Sequence, residues 1–306
     1  MKPQKDIYGV ELLPFYPTQY KLVKSGCLVE VYKFGKDIFL GQKIIKNKEE
    51  KTIKPKITLD PEETLKSSAR RAKRMIKRLI YANSFNWLKV NNSPYLPITI
   101  TLTFAENIQD LKIANYEFTK FIRRLNYETN KIEKKDLKQS NLKYLAVFEL
   151  QRRGAIHYHC IFFNMPYINK IYDRLADIWG QGMINVGGKK KGLSKIKDQT
   201  KLRKIIDYFI KYIQKSIFEN SFPNKKKYIT SKGLLKPREQ YFKEVISLIT
   251  NKIPGSSLIF NYDGEQKWKN GTAPENYLKW MNYWQYDLSA LPDISKAVDE
   301  ILDDFS

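Results

Sequence analysis

Tyr144-Leu145-Ala146-Val147-Phe148-Glu149-Leu150, then Gln151-Arg152-Arg153-Gly154, then Ala155-Ile156-His157-Tyr158-His159-Cys160-Ile161-Phe162-Phe163 follow one another without a break. Two runs rich in β-branched and aromatic residues flank a short polar stretch that ends in glycine, which is the pattern of a β-hairpin. His157 and His159 are the only histidines in the chain. Residues at i and i+2 of a strand project to one face, so both imidazoles enter the same site. Taken alone the pair fits two readings, metal ligands or ordinary polar residues on an exposed strand face.

The turn decides what joins them. If Gln151 pairs with Ala155 across a three-residue turn, Glu149 falls opposite His157 on the same face of the sheet. One carboxylate and two imidazoles then leave half an octahedral shell open for a phosphate oxygen and water, as a Lewis-acid metal requires. A register shifted by one residue would turn Glu149 away.

On either side of the hairpin the pattern continues as strands and helices. Residues 97–104 form a β-branched strand, and apolar residues from Ile113 through Tyr116, Phe118, Phe121, Ile122 and Leu125 recur at helical spacing. After the hairpin come a short helix at 171–179, a strand near 183–186, a glycine- and lysine-rich loop at 187–192, and a helix at 199–216. The order β-α-β-β-α-β-α predicts an α+β fold, a central antiparallel sheet with helices packed on it. A β-rich N-terminal element and a C-terminal helical region are expected as additions. The segments read as 1–90 (β-rich element and basic helix), 91–225 (the sheet core) and 226–306 (an accessory region with an acidic tail). Trp268, Tyr277, Trp280, Tyr283, Trp284 and Tyr286 in that last region are expected to serve packing.

The 306 residues carry 55 Lys and Arg against 32 Asp and Glu, a net charge of +23. Such a field calls for a polyanion, nucleic acid first, although a lysine-rich solvated surface also fits the number. A helix is predicted over 60–83, with Asp60 as N-cap and Pro61 at the first position. It carries Arg70, Arg71, Lys73, Arg74, Lys77 and Arg78 with no acid among them. These six are candidate phosphate contacts. No apolar run approaches a bilayer span and the first residues lack an apolar leader, so a cytoplasmic protein is expected, with no membrane partner. Glycines at 187–192 do not make a phosphate loop, because Leu193 stands where its lysine must be.

On a helical wheel of residues 205–217, Ile205, Ile206, Phe209, Ile210, Ile213 and Ile217 fill one arc while Tyr208, Lys211, Tyr212 and Lys215 occupy the other. The two phenols therefore leave the core face together with two ammonium groups. A phenol is a poor nucleophile near neutral pH unless its ionised form is favoured, and neighbouring lysines favour it.

Residues 148–159 followed by Tyr208-Phe209-Ile210-Lys211-Tyr212-Ile213-Gln214-Lys215 resemble the HUH endonucleases that initiate rolling-circle replication of plasmids and single-stranded DNA phages. The family's first motif is similar to Ile100-Thr101-Leu102-Thr103, a strand that supports the site. Two tyrosines separated by three residues resemble the phage-type initiators. The resemblance implies metal ligation by Glu149, His157 and His159, with Mg²⁺ or Mn²⁺ as cofactor. It also implies attack by Tyr208 or Tyr212, aided by Lys211 and Lys215, on single-stranded DNA at a replication origin through a phosphotyrosine intermediate. A host helicase and DNA polymerase in a bacterial cell would be the partners. A relaxase for plasmid mobilisation or a transposase would share this site. A non-catalytic DNA-binding replication regulator, with structural histidines, is the reading from another class.

Overall fold

The structure, a computed structural model, describes residues 15–41, 61–187, 196, 198–218, 228–264 and 281–305. The side chains of 15–16, 39–41, 61–65, 199–200 and 212–218 lie outside that description. In chain order the elements are β1 (Phe15–Ser25), β2 (Leu28–Gly41), α1 (Pro61–Asn83), β3 (Ile98–Thr103), α2 (Leu111–Ile132), β4 (Tyr144–Leu150) and β5 (Ile156–Phe162). They continue as α3 (Ile171–Trp179), β6 (Ile184–Val186), α4 (Gln199–Phe218), β7 (Tyr228–Thr230), β8 (Arg238–Gln240), α5 (Lys243–Lys252), β9 (Leu258–Asp263), β10 (Met281–Asp287) and α6 (Pro292–Asp304). The α+β class and the antiparallel central sheet expected from the sequence are present.

The chain forms two compact units, Leu59–Leu235 and a second made of Met1–Thr58 with Lys236–Ser306. In the first, five strands lie in the order β6-β3-β5-β4-β7, every neighbour antiparallel. One face of this sheet is a closed aromatic core. Tyr158 of β5 stacks on Phe118 of α2 at 4.6 Å, while Trp179 of α3 sits 4.9 Å from Phe104 and 5.7 Å edge-on from Phe121. The Tyr158 hydroxyl donates to Asn115 Oδ1 at 2.8 Å, so the one polar atom of this ring is satisfied. On the opposite face α4 lies along β4, with Leu202, Ile206 and Phe209 buried.

Asparagines set where β4 begins. Asp110 caps α2, accepting from the backbone N–H of Lys112 and Ile113. At the far end of that helix Asn126 Oδ1 accepts from the N–H groups of Asn141 and Leu142, and Asn126 Nδ2 donates to the Gln139 carbonyl. Asn130 Nδ2 donates to the carbonyls of Asp136 and Gln139. The two amides thus replace the missing backbone partners of the 133–142 connection, a requirement for any chain buried outside regular structure.

The second unit holds a sheet in the order β8-β1-β2-β10-β9, with α5 and α6 burying Val245, Ile246, Ile249, Val298 and Leu302 against Leu22, Val29 and Val31. The N-terminal β-rich element and the C-terminal region, read from the sequence as separate additions, meet in one sheet, because β10 pairs with β2 along its length. The C-terminal region therefore contains strands as well as the helices expected there, and Tyr283, Trp284 and Tyr286 lie on β10. Trp268, Tyr277, Trp280 and loop residues 188–192 fall outside the described residues. Part of the acidic tail is engaged inside this unit. Asp299 pairs with Lys24 at 2.7 Å and with Arg238 at 3.4 Å, and Asp303 pairs with Arg238. The basic helix α1 belongs to the unit of the central sheet.

Asn126→Ala leaves two N–H groups and a carbonyl unpaired in a part of the chain that is closed to water. We expect a loss of about 2–4 kcal/mol, read as a lower urea midpoint with an unchanged slope. Wild-type stability in this variant would remove the asparagine from its structural role.

Candidate metal and phosphoryl-transfer site

The hairpin turn is the three-residue form. Gln151 N–H donates to the Ala155 carbonyl at 2.9 Å and Gly154 N–H donates to the Gln151 carbonyl at 2.8 Å. Gly154 has φ +86°, which L side chains rarely adopt, and a Cβ there would come within 2.9 Å of the Gln109 side chain. Arg153 ties the turn down by donating to the carbonyls of Phe104 and Ala105. From this turn the pairing runs Leu150 with Ile156 and Glu149 with His157, the register on which the ligand set depends. On the other side of β5, Thr103 lies opposite His157 and Thr101 opposite His159.

Three strands therefore deliver polar groups to one face. Glu149 Oε1 lies 3.2 Å from His159 Nε2 and 3.8 Å from His157 Nδ1, and one ligand atom from each of the three residues fits within a 4.8 Å span. Glu149 is 6% exposed and His159 2%, while His157 opens further toward solvent. A divalent ion holds such donors at about 2.0–2.2 Å, which puts adjacent donors about 3 Å apart. The carboxylate and the two imidazoles fit that geometry, and an oxygen with two nitrogens suits Mn²⁺, Mg²⁺ and related ions. The same three residues could hold the metal expected from the sequence.

Tyr208 stands beside this group. Its Oη is 3.1 Å from His159 Nδ1, and the two rings meet edge-on with centroids 5.3 Å apart. It is 37% exposed, whereas the next residue, Phe209, is fully buried, which is the division of faces that the helical wheel of α4 predicts. Lys211 is exposed on the same helix. Tyr212 and Lys215 fall within the span of α4, but their side chains lie outside the described residues.

Nearby groups that could compete as nucleophiles are held neutral. Tyr158, between the two histidines, points into the aromatic core, and burial pushes its phenol well above the ordinary range. Burial likewise pushes the Cys160 thiol up. Among these residues Tyr208 alone combines access to solvent with contact to a histidine of the group.

The cations of α1 do not share one environment. Arg70, Arg71 and Arg74 are exposed, Lys73 and Lys77 half-buried, and Arg78 only 6% exposed. Desolvation holds the Lys73 ammonium below its usual pKa. A run of six cations on a sequence gives no sign of which ones turn inward. The buried Ala69, Ile76 and Ile80 define the inner stripe, and Arg78 falls beside it. An open phosphate-contacting face on α1 is thus carried by Arg70, Arg71 and Arg74.

Gln151 is not among the site residues that the sequence points to. Its Nε2 lies 3.4 Å from His157 Nδ1. The hairpin register hints at this contact, since residue 151 follows Glu149 by two and shares its face.

Residues 97–217 match the family model of the replication-associated protein ORF2. The matched segment runs from β3 through nearly all of α4, and so holds Glu149, both histidines and Tyr208. It fits a role in DNA replication. No curated protein and no solved structure matches the chain. Among the described residues no helix is long and apolar enough to cross a membrane.

Glu149→Ala and His157→Ala should each lower Mn²⁺ affinity by more than about 100-fold, beyond what loss of an outer-shell partner costs. Direct Mn²⁺ titration of the folded variants measures this. Unchanged affinity in Glu149→Ala would take the carboxylate out of the site.

Proposed function

We propose that this protein initiates rolling-circle DNA replication by nicking and rejoining single-stranded DNA at an origin, through a tyrosine ester. The observation that carries the reading is the contact of the Tyr208 phenol with His159, the histidine that is itself turned onto Glu149. A nucleophile, a metal-type donor set and exposed basic residues accompany a segment that matches a replication-associated family.

A divalent ion bound by Glu149, His157 and His159 would supply Lewis-acid polarisation of the scissile phosphate. Mn²⁺ and Mg²⁺ are the candidates. Tyr208 attacks phosphorus, the phosphorus–O3′ bond breaks, and the 3′ oxygen leaves with a proton as a free hydroxyl. The phenolic proton passes to solvent. The 5′ end stays on the protein as a phosphotyrosine ester, which keeps the energy of the cleaved bond so that a later 3′-hydroxyl can reverse the reaction without ATP. Lys211 and Lys215 supply positive charge beside the phenol and the phosphate. Tyr212, one helical turn on, is the acceptor for a second transfer once a round is complete. The freed 3′-hydroxyl primes a host polymerase and a host helicase opens the duplex, which places the reaction in the cytoplasm of a bacterial cell.

The exposed Arg70, Arg71 and Arg74 and the net charge of +23 support phosphate contacts along α1.

Two measurements test the reading. Single-stranded origin DNA with Mn²⁺ should give a protein–DNA adduct that survives denaturation. Tyr208→Phe should cut its yield by more than about 10³-fold, whereas Tyr212→Phe should still form it. An adduct undiminished in Tyr208→Phe would assign the chemistry elsewhere, and no adduct on any candidate origin would favour a non-catalytic replication regulator. For the basic helix, replacing Arg70, Arg71 and Arg74 together by alanine should flatten the slope of log affinity against log salt by about 2, at roughly 0.7 per single-strand contact. An unchanged slope would remove α1 from the DNA path.

A further inference from the structure

Each imidazole of the pair is held from two sides. His157 turns Nδ1 toward Glu149, and its Nε2 is in hydrogen-bond contact with Thr103 Oγ1. His159 turns Nε2 toward Glu149, and its Nδ1 lies 3.3 Å from Thr101 Oγ1 and 3.1 Å from Tyr208 Oη. The threonines come from β3, a strand that brings no ligand of its own and is paired to β5 so that each hydroxyl sits opposite one histidine. Thr99, next on the same face, lies opposite Ile161 and has no such partner to serve.

A ring nitrogen that binds a metal has to be free of its proton, so the proton sits on the other nitrogen, where a fixed acceptor selects that tautomer and orients the ring. We propose that Thr101 and Thr103 are positioning residues that select opposite tautomers in the two histidines, Nδ1–H in His159 and Nε2–H in His157. The inference rests on the metal reading for its purpose, though the threonine contacts stand without it. Gln151 supports the assignment at His157, because its amide N–H, 3.4 Å from Nδ1, needs an unprotonated nitrogen there. Threonine suits the task because its β-branch stiffens χ1 and fits a strand, so the hydroxyl is held in place before any ligand arrives.

The two rings then act through different atoms, His157 through Nδ1 and His159 through Nε2. A single donor set built this way has its proton-bearing nitrogens pointing outward, one onto Thr103 and one onto Thr101 and the Tyr208 oxygen. The nucleophile thus shares an acceptor position with a threonine on the ring of a ligand.

Since the chain has only two histidines, labelling histidine rings with ¹⁵N in the full-length protein gives a spectrum of two rings. In metal-free protein at mildly alkaline pH, two-bond ¹H–¹⁵N correlations should show His159 as the Nδ1–H form, the minor one for a free side chain. Thr101→Val combined with Tyr208→Phe should return it to Nε2–H, and Thr101→Ser with Tyr208→Phe should keep Nδ1–H. Thr103→Val should lower Mn²⁺ affinity by about 10–100-fold, and Thr103→Ser should restore it. A wild-type His159 protonated at Nε2, or valine variants that change neither tautomer nor affinity, would overturn the proposal while Mn²⁺ binding by the wild type would leave the metal reading intact. If the tautomers follow the threonines but the wild-type protein takes no Mn²⁺, the metal reading fails and the threonine assignment stands.

Discussion

The three-residue turn between β4 and β5 is the constraint on which the site depends. Side chains alternate strictly along a strand, so one residue more or less in this turn would send Glu149 to the aromatic face and leave two histidines with no carboxylate. The turn is fixed at both ends, by the left-handed backbone of Gly154 and by Arg153 bound to the carbonyls that follow β3. That second tie matters because β3 carries the threonines. The same residues that set the register of one strand pair also hold the end of the neighbouring strand, so the positions of the carboxylate, the imidazoles and the hydroxyls are set together.

Burial then sorts the functional groups. Tyr158 sits between two histidines in sequence yet faces a packed aromatic layer, while Tyr208, fifty residues later, arrives over the histidines from α4. Sequence neighbourhood is a poor guide here and the pleat is a good one. A helix whose Phe209 is fully buried has no freedom to roll, so the phenol next to it is delivered at a fixed angle.

The parts of this arrangement that the sequence made legible are those governed by short-range periodicity. The hairpin register follows from a turn length that can be counted, and the outward face of α4 follows from a 3.6-residue repeat of isoleucine and phenylalanine. Long-range pairing is different. Nothing in residues 281–287 says that they pair with β2, because strand propensity identifies an edge and not its partner. The burial of Arg78 was hidden for a related reason. A helix with cations on several sides has no polar face to read, and which side turns inward is set by the elements packed on it.

The pleat has one more consequence, for Cys160. This thiol follows His159 directly, and in a loop it would complete a His-x-His-Cys chelate with a soft sulfur donor. On β5 it points into the aromatic core, fully buried, and is held as the neutral thiol. Thiophilic ions such as zinc and copper(I) therefore lose the ligand that would let them outcompete harder ions at the histidines. The same burial denies peroxides the thiolate they react with, so a cysteine one residue from the site gives oxidants no handle on it.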